Sequence, residues 1–166
     1  MPISIAHFTE ASLRTCKEAG KEAWTYGHVG RAALGRWLFV AREKGLNGVT
    51  CPYQFVNAHP YFDGSGNEGA WGVVFPSRNG VNATVFWERM AEGINDYRYL
   101  KTLKSKLEAA KKDGQHAELV AAAEHFMAET LKPITIGHPG SAELKTDEWP
   151  AFRAELVKHI SALSAK

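Results

Sequence analysis

Lys21–Val56 reads KEAWTYGHVGRAALGRWLFVAREKGLNGVTCPYQFV, and the class of fold turns on it. Lys21–Val29 (KEAWTYGHV) is rich in the aromatic and β-branched residues that suit a pleated surface, which predicts a strand. Arg31–Lys44 places Leu34, Trp37, Leu38 and Ala41 on one helical face, and Gly45 supplies the stop. Gly48–Val56 (GVTCPYQFV) reads as a second strand. Pro52 interrupts it, and since proline donates no ladder hydrogen bond, pairing is expected to end near there.

Upstream, Ile3–Ala6 has the look of a short strand. Thr9–Ala19 reads as a helix with Thr9 as N-cap, Gly20 as stop and Leu13 and Cys16 on its apolar side. The order strand, helix, strand, helix, strand with short connections predicts an α/β fold built of parallel β-α units. Downstream, Trp71–Phe75 (WGVVF) reads as a short strand. A long helix is expected from near Asn82, with Phe86, Met90, Ile94, Tyr97, Leu100, Leu103 and Leu107 stepping by three and four, closed by Gly114. Gln115–Leu131 and Asp147–Ser164 add two amphipathic helices. In the last, Thr146 or Asp147 is the cap and Pro150 falls in the first turn, where its missing N–H costs nothing.

Gly64–Gly69 (GSGNEG) matches the spacing G-x-G-x-x-G. A phosphate loop needs a helix opening at the glycines, and here they run into extended WGVVF, so the anion-binding reading fails. Asp63, Ser65 and Asn67 imitate the start of a calcium loop, but Glu68 stands where glycine is needed and Val74 where glutamate is needed. A surface loop is the better account.

With 45% hydrophobic residues in 166, the chain can bury a core of single-domain size. Twenty basic against eighteen acidic residues leave a net charge of +2, which gives no footprint for nucleic acid. Lys101, Lys104, Lys106, Lys111 and Lys112 read as the solvated face of a helix. No run is long and apolar enough for a membrane span, and MPISIAHFTEAS has no signal-peptide pattern; the compartment stays open. Cys16 and Cys51 make no disulfide framework. The histidines form no H-E-x-x-H or close pair, so neither a metal nor a cofactor is expected. Asp147 and Glu148, at a helix start, suit the macrodipole rather than catalysis.

The aromatics carry more. Trp24 and Tyr26 fall toward the C-terminal end of one strand, Tyr53 toward the end of the next, and Trp71 follows the glycine loop. Flat faces beside polar groups suit a sugar ring, although a packed core would also use them.

Phe86–Leu103 (FWERMAEGINDYRYLKTL) resembles the signature helix near the C-terminal end of glycoside hydrolase family 123 catalytic domains, W-E-x-x-R-E-G-I-x-D-x-x-Y-L. Trp87, Glu88, Glu92, Gly93, Ile94, Asp96, Tyr99 and Leu100 match it; Ala91 replaces the usual arginine. The upstream order, with Gly20–Tyr26 and a strand ending in Tyr53, is similar too. Gly93 is expected to permit close backbone packing. Glu92 and Asp96, at i and i+4, are expected to pair with Arg89 and Arg98 as a charge clamp.

The resemblance implies a partial (β/α)8 barrel: residues 1–112 are about its last three β-α units, and 113–166 a helical extension packed on it. It implies a carbohydrate partner, an N-acetylated sugar, in a retaining, substrate-assisted N-acetylhexosaminidase-type enzyme. The catalytic carboxylate pair would lie on an earlier strand, so this chain alone would be inactive. Trp24, Tyr26, Tyr53 and Trp71 would line the sugar site. An open set of strands would need the preceding barrel portion, or self-association, to cover it. The alternative is a non-catalytic carbohydrate- or partner-binding module, which a monomeric, cooperatively melting chain would favour.

Overall fold

The computed structural model describes residues 3–4, 9–26, 30–50, 74–114 and 116–164. Three parallel strands, β1 (Ile3–Ser4), β2 (Ala23–Tyr26) and β3 (Gly48–Thr50), lie side by side in sequence order. Ser4 pairs with Trp24, Trp24 with Gly48 and Tyr26 with Thr50. The helical connections predicted between them are present, so the β-α alternation stands at this coarse level.

Helix α1 (Glu10–Glu18) opens on a capping box: the Ser12 N–H donates to Thr9 Oγ1 (3.2 Å) and the Thr9 N–H to Ser12 Oγ (2.7 Å). The second connection departs from a plain helix. Ala33–Trp37 is a π-helical segment, all five residues buried, and it runs straight into α2 (Leu38–Glu43). Leu34, Trp37 and Ala41 are buried as their spacing predicts, while Leu38 is half-buried and Phe39 takes a core position.

Val74–Ser77 (β4) and Gly80–Ala83 (β5) form an antiparallel hairpin, with Ser77 paired to Gly80 across the two-residue turn Arg78-Asn79. The single strand expected at Trp71–Phe75 is therefore one arm of a hairpin. The long helix starts after the second arm, not at Asn82: α3 spans Val85–Asp113, and the Trp87 N–H donates to Thr84 Oγ1 at its N-cap (3.2 Å). Gly114, at φ +64°, ends it in the left-handed conformation that glycine adopts without steric cost. The expected apolar stripe holds at Leu100, Leu103 and Leu107. Nearer the N-terminus Phe86 and Ile94 are exposed, and Gly93 and Asp96 take the buried positions.

Helices α4 (Ala117–Leu131) and α5 (Glu148–Ala162) pack on α3, joined by a 3-10 turn at Pro139–Ala142. Trp37, Leu100, Leu103, Ala123, Trp149, Phe152 and Leu156 share one core, which spans the proposed boundary near residue 112. Asp147 stands at the N-cap of α5 but makes no side-chain cap bond. Glu148 reaches back instead, its Oε2 accepting from the Lys145 N–H at 2.8 Å.

Candidate functional site

Two arrangements stand out: a charged clamp between helices and one face of the parallel sheet.

The clamp begins with Asp96 on the second third of α3. Its side chain is wholly buried, which is costly for a carboxylate unless cations and hydrogen bonds meet it. Arg31, just before the π-helical segment, donates from Nε to Oδ2 (2.6 Å) and from Nη2 to Oδ1 (3.3 Å). Arg153 of α5 donates to Oδ1 from Nε (3.0 Å) and Nη2 (2.6 Å). Glu92, one turn earlier, closes the circuit with Oε2 at 2.5 Å from Arg153 Nη2 and 3.6 Å from Arg31 Nη2. The Arg31 guanidinium also lies 4.3 Å over the Trp149 ring, and Arg153 faces Tyr99 at 5.8 Å. Desolvation works to lower the Arg153 pKa, but its hydrogen bonds to Asp96 and Glu92 outweigh that, so it is held above the ordinary value.

Charge pairing at Glu92 and Asp96 is thus present, with different partners from those expected. Arg89 and Arg98 are exposed on α3, and Arg31 and Arg153 take the roles. Gly93 lies between the two acids for a steric reason. A Cβ there would meet the Arg31 carbonyl oxygen at 2.6 Å and Leu34 Cβ at 3.1 Å, so the two helical backbones are in direct contact. Glu88 points away from this clamp and is exposed. With two arginines and two carboxylates bonded to one another, the clamp has no free group to act as acid, base or nucleophile; it is a fastening.

Deeper in the same core, Arg36 is almost wholly buried without a carboxylate beside it. Its Nη1 donates to the Ala142 carbonyl (2.8 Å), its Nη2 to that of Thr130, and its Nε has no partner. Burial pushes its pKa down, against the pull of Asp96, Glu143 and Glu148.

On the sheet, side chains alternate across the two faces. Ala23 and Thr25 are buried and Val49 packs against the core, so this face meets the helices. Trp24 and Tyr26 point to the other side, Trp24 half-buried and Tyr26 41% exposed. The Trp24 ring lies across Gly48, where a Cβ would come within 2.3 Å of it, and Trp24 Nε1 donates to Glu22 Oε2 (3.0 Å). The structure therefore brings Trp24 and Tyr26 to one face. Tyr53, Trp71 and the glycine run 64–69 lie outside the described residues.

Sequence reasoning missed Arg31, Arg36, Arg153 and Trp149. Arg31 and Arg153 stand 65 and 57 positions from Asp96, and no local pattern links them to it. Among the described residues no group of His, Cys, Asp and Glu could hold a metal, and no helix is long and apolar enough to cross a membrane. No protein-family model, curated protein or solved structure matches the chain.

Proposed function

We propose that this chain is the C-terminal part of a glycoside hydrolase-like (β/α)8 barrel and that its sheet supplies the sugar-facing wall. The observation that carries the reading is the orientation of β2. Ala23 and Thr25 turn toward the helices, and Trp24 and Tyr26 toward the face without helices. A barrel strand is built this way, with helices outside and the C-terminal strand ends bearing the site. Sequential parallel order β1-β2-β3 agrees with it.

In this reading Trp24 offers a ring face to the C–H side of a sugar, held flat against Gly48. Tyr26, one step nearer the strand end, offers a hydroxyl. The parent enzyme would be a retaining, substrate-assisted N-acetylhexosaminidase type. Its carboxylate pair would come from an earlier strand, and Asp147 and Glu148 do not stand in for it, since both are committed to the start of α5.

The test is an amide NMR titration of the chain with N-acetylglucosamine. Shifts at 24–26 and 48–50 that disappear in Trp24→Ala, with the melting transition preserved, are expected. Binding that survives Trp24→Ala unchanged would remove the assignment.

A further inference from the structure

A cavity of about 570 Å³ opens where three segments distant in sequence meet: Gly30–Arg31 after β2, the first turn of α3, and the run 143–149 leading into α5. Its volume falls in the roughly 300–1,000 Å³ range of small-molecule sites. Phe86, 43% exposed, forms an apolar wall, and Trp149 lines the cavity with Arg31 stacked on its ring.

The polar lining separates into engaged and free groups. Arg31 and Glu92 belong to the clamp. Glu88, Arg89 and Glu143 also line the cavity, are exposed, and make no side-chain hydrogen bond or ion pair among the described residues. Glu88 and Glu143 are acceptors, Arg89 a forked donor, and the Thr146 hydroxyl can do both. Three carboxylates face two guanidiniums, so an anion would be repelled. Near-balance of charge gives a cation little advantage either.

A neutral ring with hydroxyls around its edge and an apolar face fits this set. We propose that the cavity is a second sugar subsite, binding a hexose-sized unit through Glu88, Arg89 and Glu143 with Phe86 against its C–H face. The proposal deepens the reading of the sheet face and rests on it for the class of sugar, an N-acetylhexosamine.

The same titration with N-acetylglucosamine, read at different amides, tests it. Shifts at 30–31, 84–89 and 143–149 are expected, weakened about tenfold in Glu88→Gln or Arg89→Ala, as loss of one charge-assisted hydrogen bond implies, and retained in Trp24→Ala. Both substituted side chains are exposed, so the variants should fold. Shifts confined to 24–26 and 48–50 would overturn this subsite and leave the sheet-face reading standing. Shifts at the cavity that neither Glu88→Gln nor Arg89→Ala weakens would overturn it as well. Shifts at the cavity alone would keep the subsite and remove the sheet-face reading.

Discussion

Arg31 Nε lies 2.6 Å from Asp96 Oδ2, and that bond joins the start of the π-helical segment to the middle of α3. Asp96 has no exposed surface, whereas the Arg31 and Arg153 side chains keep 19% and 27% of theirs. Removing the acid leaves two arginines that can partly rehydrate. Asp96→Asn is therefore expected to cost about 2–4 kcal/mol, at or just under the range for breaking a buried pair. Urea unfolding measures it; a loss near zero would mean the clamp contributes no stability.

Gly93 tests the contact between backbones. In a helix interior, alanine is ordinarily better than glycine by about 1 kcal/mol. Here the added methyl meets a carbonyl oxygen at 2.6 Å and the Arg31 Cα at 3.0 Å, and neither can rotate away. Gly93→Ala is expected to destabilise by about 1–3 kcal/mol, the range for overpacking. A raised melting temperature would show that α3 stands further from Arg31 than described.

Arg36 fastens residues 130–142 to the π-helical segment through two carbonyls. Arg36→Met keeps much of the volume and removes a desolvated charge, but leaves those oxygens without their donor. Unsatisfied buried groups cost about 1–3 kcal/mol. Hydrogen exchange should quicken across 130–142 first, and an unchanged pattern there would count against the fastening role. Lysine should rescue poorly, because one ammonium lacks the planar fork.

Lys104 of α3 bonds Glu43 of α2, and that hydrogen bond raises its pKa above the ordinary 10.5, with burial opposing. The folded value exceeds the unfolded one. The contribution is thus complete below pH 10.5 and fades as pH rises through the folded value. Both side chains are more than a third exposed, so screening keeps it small, at most about 1 kcal/mol. Wild type and Lys104→Met should differ slightly near neutral pH and converge in strong alkali. A gap that widens with alkali would contradict the pairing.

Gly48→Ala puts a methyl into the Trp24 ring. The ring must leave its place on β3, which should shift its fluorescence and weaken sugar binding by disturbing the platform. Unchanged emission would mean Trp24 does not rest on Gly48.

Legibility in the sequence followed the range of each interaction. Thr9 as a cap, Gly114 as a stop and the Leu100, Leu103 and Leu107 stripe depend on neighbours within a turn, and each was readable. The tight fit at Gly93 was readable too, because glycine inside a helix needs a reason. The β4–β5 hairpin carried a signal that was passed over, Asn79-Gly80 between two short apolar runs. Arg31 and Arg153 had no local signal, since only the tertiary arrangement brings them to Asp96. Trp24 and Tyr26 were legible as a pair because strand side chains two apart share a face.

A π-turn holds one residue more than an α-turn. Deleting any one residue of Ala33–Trp37 would leave a sequence still able to form a helix. Each side chain from Leu38 onward would nevertheless swing by about 100° around the axis, carrying Phe39 and Ala41 out of the core. The segment should therefore tolerate several single substitutions at its edges while rejecting any change in its length.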